Sequence, residues 1–303
     1  MKICAMRDTR TMLMPDDVSD EQPVVIIAGS EEALYAMKIT GMIYEGDLSL
    51  REISFCKMEA QPDCLSGTLC IPRHVDVINS RYRMLIFINR HHIVIIDDDN
   101  FASRMLLRMQ MKPSPRAGSK EGFLFMLLTQ LISRDVETLS LYDKRLRMLE
   151  EDVVDGKTES FESEVMPIRR ELLVFRTYYD ELMDMAKELE DNENDFFAED
   201  QLKYFGTVAD RADRLMSKTQ QLLEYAQQVS DTYQARVDEE RNKNMQLLTV
   251  ISTVFYPLTL ITGWFGMNFI DMPGLENGFP AVVIFSVIVV VCIILWFKKR
   301  KML

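Results

Sequence analysis

The sequence predicts an α/β domain followed by long helices that run on into two membrane-crossing helices. Three observations carry that expectation. Short apolar runs and short helical runs alternate quickly up to Asp99, Pro and Gly almost vanish after Gly118, and two charge-free apolar segments lie near the end of the chain. The expected order is an α/β domain over 1–115, a helical region with a long stalk helix over 116–245, a first span over 246–268, a loop over 269–279, a second span over 280–297 and a basic tail over 298–303.

In the first part, VVIIA (Val24–Ala28) reads as a short buried strand and EEALYAMK as one or two helical turns. RMLIFINRHHIVIID reads as two strands about a turn near Asn89 and Arg90. Pro113, Ser114, Pro115 and Gly118 mark a boundary. Beyond it the chain reads as nearly all helix, with Pro167 expected at a helix start after the acidic stretch DGKTESFESEVM. Leu215, Leu222, Ala226, Val229, Tyr233 and Val237 then recur at helical steps, and no Pro or Gly interrupts the chain from Ala209 to Tyr256. A helix continuous through the first span would be roughly 90 Å long at 1.5 Å per residue. Its seam suits packing within one chain as well as packing against copies of itself.

The spans read QLLTVISTVFYPLTLITGWF and PAVVIFSVIVVVCIILWF, without an Asp, Glu, Lys, Arg or His in either. Each is long enough to cross a hydrocarbon core of roughly 30 Å, and neither shows the polar stripe of a helix in a soluble core. Arg241 and Lys243 precede the first span, Lys298, Lys299, Arg300 and Lys301 follow the second, and the loop between has no basic residue. Both termini are therefore expected in the cytoplasm of a protein of the plasma membrane. The first ten residues lack the apolar region of a cleaved signal peptide. About 245 of the 303 residues then form a cytoplasmic body.

Asp and Glu outnumber Lys and Arg by 47 to 35, for a formal net charge of -12. That balance argues against nucleic acid as a partner and suits cations. The five cysteines show no CxxC pair and are expected to be reduced, without a disulfide framework or zinc site. Asp97, Asp98 and Asp99 read as a solvated turn, the acids from Glu188 to Asp195 have no ligand spacing, and His74, His91 and His92 show no zinc pattern. With no nucleophile, phosphate loop or paired catalytic carboxylates, the sequence does not read as an enzyme, and it implies no organic cofactor.

The segment NKNMQLLTVISTVFYPLTLITGWFGMNFIDMP decides more. Asn242, Met245, Leu248, Thr249, Pro257, Leu258, Thr259, Gly263, Gly266, Met267, Asn268, Phe269, Met272 and Pro273 fall where the membrane segment of CorA-type magnesium channels has the same residue. The chain resembles that family, clearly so from Tyr204 onward. The resemblance implies a funnel-shaped homopentamer with an α/β cytoplasmic domain, a pore lined by the first spans, Mg²⁺ as transported and regulatory ion, and Co²⁺ or Ni²⁺ as further cargo. It makes Gly266, Met267 and Asn268 the selectivity motif and Asn242, Met245, Leu248, Ser252, Tyr256, Thr259 and Gly263 the pore-lining face. Asn268 would meet the hydrated ion, because Mg²⁺ gives up its waters reluctantly and an amide oxygen can hold it through them. Gly266 is expected to supply the backbone freedom to leave the helix there.

The sequence departs from the family pattern at four places. Tyr256 stands where relatives often have Met, Phe265 where many have Tyr, and Gly274 where the loop commonly has Glu. Thr207 stands where relatives carry an Asp of a regulatory Mg²⁺ site, while Asp210, one turn on, remains an acid. Two other readings stay open: a zinc transporter of the same fold, against which Met267 counts, and a membrane-tethered coiled-coil adaptor that conducts nothing.

Overall fold

A computed structural model describes residues 1–6, 11–19, 22–111, 118–157, 160–266 and 278–299. The chain separates into two compact units, Met1–Ser230 and Asp231–Leu303.

The first unit is built on a mixed six-stranded sheet: β1 (Lys2–Ala5), β2 (Val24–Ala28), β3 (Lys57–Ala60), β4 (Leu65–Arg73), β5 (Asp76–Ile88) and β6 (Ile93–Ile96), in the order β1-β2-β6-β5-β4-β3. Only β2 and β6 run parallel. Every residue of β2 and β6 is buried, which is why both are unbroken apolar runs, as expected of strands covered on both faces. The β5–β6 turn has a local cause: Asn89 Oδ1 accepts the N–H groups of His91 (2.9 Å) and His92 (2.7 Å). Between β4 and β5 the register shifts at Pro72 and Arg73, where proline cannot donate to the ladder.

Helices α1 (Ala33–Ile39), α2 (Phe101–Gln110), α3 (Lys120–Leu131), α4 (Asp135–Val154) and α5 (Phe161–Asp191) surround this sheet, with α1 against β2 and β6 and α5 across β3, β4 and β5. Pro167 does not start α5 but lies seven residues inside it. Phe161, Val165, Ile168 and Leu172 are buried at helical spacing on both sides of it, so packing carries the helix through the proline. The missing N–H of Pro167 releases the carbonyl of Ser163, an exposed residue that water can serve.

Lys120, at the start of α3, is buried and donates to the carbonyls of Asn89 (2.9 Å), Arg90 (2.8 Å) and Phe196 (2.6 Å). Burial pulls its pKa down to about 8. Glu121 accepts the N–H of Ala198 at 3.1 Å, so the first turn of α3 ties the segment after α5 to the β5–β6 turn.

Helix α6 runs from Lys203 to Phe265. In the first unit Phe205, Val208, Ala212, Leu215, Leu222, Ala226 and Val229 are buried. The seam up to Val229 is thus covered within one chain, whereas Tyr233 and Val237 are only half-buried.

The second unit contains the rest of α6 and α7 (Gly278–Lys299). Both contain a segment long and apolar enough to cross a membrane, and only 6% of each segment is buried, unlike the core helix of a soluble protein. Pro257 lies inside α6 and removes the hydrogen bond that the carbonyl of Thr253 would otherwise accept. Cys4, Cys56, Cys64 and Cys70 are buried free thiols and Cys292 is an exposed one.

Candidate functional site

At 3.6 residues per turn, Asn242, Met245, Leu248, Ser252, Tyr256, Thr259 and Gly263 share one side of α6. All seven are exposed. Gln246, Val250, Val254, Pro257, Leu258 and Ile261 are the buried or half-buried positions of the same stretch, and the spacing puts them on the other side. The helix therefore has one partly covered, mainly apolar strip, and the rest of its surface is exposed, the open, mixed face included. Ser252, Tyr256, Thr259 and Gly263 line an open groove with Phe255, Leu260 and Trp264.

The hydroxyl of Thr259 donates to the carbonyl of Phe255 at 2.9 Å. This satisfies its proton within the helix and leaves its oxygen as an acceptor, the role a cation's water shell requires. Leu248 and Met245 put an apolar stretch on the open face about three to four turns before Thr259.

Gly266 still follows the helix, donating to the carbonyl of Thr262 at 2.9 Å. It is not among the positive-φ glycines. A Cβ there would stand 2.8 Å from the Thr262 oxygen, so the helix's own carbonyl favours glycine at this position. Met267 and Asn268 lie outside the described residues, as does the loop with Gly274.

Thr207 and Asp210 are one turn apart on the first-unit part of α6. Thr207 is half-buried, its hydroxyl donating to the Lys203 carbonyl at 2.8 Å, and Asp210 is exposed. Among the described residues no group of three or more His, Cys, Asp or Glu is placed to hold a metal ion. The Asp97–Asp99 run is solvated at Asp98 and Asp99, as expected, but not at Asp97. Asp97 is buried and accepts the N–H of Asp99 (2.9 Å) and of Ala102 (2.7 Å), Asp98 accepts both the N–H and the hydroxyl of Ser30, and Asp99 pairs with Arg73 at 2.6 Å.

Sequence reasoning passed over Asp135. Its position in the first turn of α4 reads as an ordinary surface acid, yet it is 1% exposed. Its Oδ1 lies 3.4 Å from His74 Nε2, and the Tyr179 hydroxyl neighbours the same carboxyl without completing a well-aligned hydrogen bond. Burial raises the Asp135 pKa to about 7.

Comparison with known proteins places this architecture. A family model described as CorA-like Mg²⁺ transporter protein matches residues 50–299. The chain belongs to this CorA-like family. Its members are transporters and not enzymes. The complete structure of the CorA magnesium transporter from Methanocaldococcus jannaschii has the same fold, with a TM-score of 0.79 over 95% of this chain and 94% of that one at 19% identity. The ZntB cytoplasmic domain from Vibrio parahaemolyticus matches with a TM-score of 0.64 over 79% of this chain and 98% of that one, at 10% identity. Among curated relatives, the cobalt/magnesium transport protein CorA of Thermotoga maritima is 27% identical over 59% of this chain and 52% of its own length. The zinc transport protein ZntB of Pectobacterium carotovorum is 22% identical over 73% and 65%. The chain thus spans between half and two thirds of the length of these curated relatives.

Proposed function

We propose that this chain is the subunit of a divalent-cation channel of the plasma membrane, with both termini cytoplasmic, that takes up mainly Mg²⁺ and passes Co²⁺ or Ni²⁺ as well. The observation that carries the reading is the open face of α6: seven residues assigned to a pore from sequence are all exposed, on the other side from the mainly apolar strip that is partly covered. Two helices cannot enclose a water-filled path, so the reading requires an oligomer, and the family resemblance makes it a homopentamer set in lipid. In that assembly Gly266, Met267 and Asn268 form the outer ring. Asn268 offers an amide oxygen, and the C-terminal end of α6 adds a partial negative charge from its free carbonyls. A hydrated ion recognised this way keeps its water, which explains tolerance of similar ions. Leu248 and Met245 supply an apolar constriction that can close by dewetting.

Regulation belongs to the same proposal. Cytoplasmic Mg²⁺ held between subunits at Asp210 and Thr207 favours the closed state by its differential affinity for that state, and the uncharged Thr207 makes the hold weaker than two acids would. Zinc is the second reading, supported by the ZntB relatives and the ZntB fold match. The test is uptake by purified protein in liposomes, comparing Mg²⁺, Co²⁺, Ni²⁺ and Zn²⁺. Mg²⁺ flux above Zn²⁺ flux supports the proposal; Zn²⁺ flux with no Mg²⁺ flux selects the second reading; no flux of any of them leaves the non-conducting adaptor.

A further inference from the structure

In an acidic chain, one cavity of the first unit gathers four arginines. It has a volume of about 470 Å³ and lies where the β4–β5 hairpin, α2 and the α3–α4 corner meet. Arg73, Arg104, Arg108 and Arg134 line it, with His74 and a single carboxylate, Asp76. The oxygens of Asp76 are already used by Asn79 and Ser80. His74 stays neutral more readily than usual, through burial and the nearby Arg134 charge.

The four guanidinium groups differ in how they are held. Arg73 pairs with Asp99, donates to the Arg81 carbonyl at 3.2 Å and lies 4.1 Å over the Tyr82 ring. Arg104 donates to the Asp99 carbonyl at 2.9 Å. Arg108 and Arg134 have no anionic partner among the described residues, and both occupy places that local electrostatics disfavour. Arg104 and Arg108 are like charges four apart on α2, and Arg134 stands at the N-cap position of the 20-residue α4, where the helix dipole is already positive. The Asp99 carbonyl and the Tyr82 and Phe101 rings hold Arg104, and a bound anion would offset what remains of both costs.

We propose that this cavity binds a small multivalent phosphate anion, either pyrophosphate or the polyphosphate end of a nucleotide. Guanidinium forks match phosphate oxygens in geometry and charge, and the volume is that of a small-molecule pocket. Arg108 and Arg134 would take the phosphate oxygens, with Arg73 and Arg104 held in place around them. This holds whether or not the chain conducts, because the cavity belongs to the first unit alone.

The experiment is calorimetric titration of the full chain in detergent with pyrophosphate, in chelator so that no divalent cation contributes. Saturable binding is expected, weakened about tenfold in Arg108→Gln and in Arg134→Gln, as for the loss of one charge-assisted contact. Arg214→Gln is the control, since Arg214 lines a neighbouring basic groove with Arg211 and Lys218. All three positions are exposed, and circular dichroism checks that each variant folds. A parallel titration with ADP separates the sources: tighter binding than pyrophosphate points to a nucleotide, equal binding to the phosphates alone. No saturable binding, or a loss in Arg214→Gln as large as in the other two, overturns the proposal.

Discussion

A carboxyl group held almost entirely out of water makes Asp135 sensitive to pH in a definite direction. Its pKa is about 7 in the fold and near the ordinary 3.8 when exposed, so the folded chain holds a proton that the unfolded chain has released between those values. The stabilisation is complete below pH 3.8 and is lost as pH rises through 7. Three pKa units at 1.36 kcal/mol each bound the effect at about 4 kcal/mol. Asp135→Asn, which cannot ionise, is expected to flatten the pH dependence of the melting temperature between pH 4 and 8, and an unchanged profile would show that the carboxyl is hydrated. His74 acts in the opposite sense, because its lowered pKa makes acid destabilising, and since it touches Asp135 the comparison is repeated in a His74→Gln background. At the membrane end, Asn268→Ala is expected to abolish Mg²⁺ uptake without dispersing the oligomer, since it removes only the amide proposed to meet the ion. Flux at the wild-type rate after that change would sink the selectivity assignment.

Among the elements, α6 is where a sequence pattern and an exposed surface can be set side by side. If its open face lines water, Ser252→Cys reacts with a water-soluble thiosulfonate about tenfold faster than Val254→Cys, which sits on the covered side, because thiol reactivity follows access. Cys292 is exposed and is first replaced by Ser so that it does not contribute. Equal rates at the two positions would refute the pore-face assignment. Other elements were legible to differing degrees. The strands at Val24–Ala28 and Ile93–Ile96 announced themselves because burial on both faces demands an unbroken apolar run. β1 and β3, with the sequences KICA and KMEA, gave too short a signal to read, since four residues with a charge among them fit a loop as well. Local propensity alone puts Pro167 at a helix start, and the apolar stripe from Phe161 to Leu172 outweighs it. The cavity of four arginines was invisible in principle: Arg73, Arg104, Arg108 and Arg134 sit on three separate segments and show no spacing.

For the molecule as a whole, the exposed apolar surfaces of both candidate spans require covering, and lipid can take one side of each but not a water-lined one. The expected state is a pentamer, measurable by native mass spectrometry. Each copy brings a formal net charge of -12, so assembly gathers like charges that divalent cations relieve, and millimolar Mg²⁺ is expected to slow proteolysis of the first unit. A monomer or dimer that still transports would rule out the shared pore. Pro257 has one further consequence. Its ring leaves the Thr253 carbonyl without an N–H inside a segment apolar enough for hydrocarbon, where an unsatisfied carbonyl costs several kcal/mol. The oxygen needs a proton from somewhere, and a nearby threonine hydroxyl is already spent, since Thr253 donates its own to Thr249 at 2.7 Å. Water, a donor from a neighbouring helix or a local shift in the hydrogen-bond ladder has to supply it at that depth. A helix written in this way carries one polar demand in the middle of its apolar stretch, whether or not anything is passing.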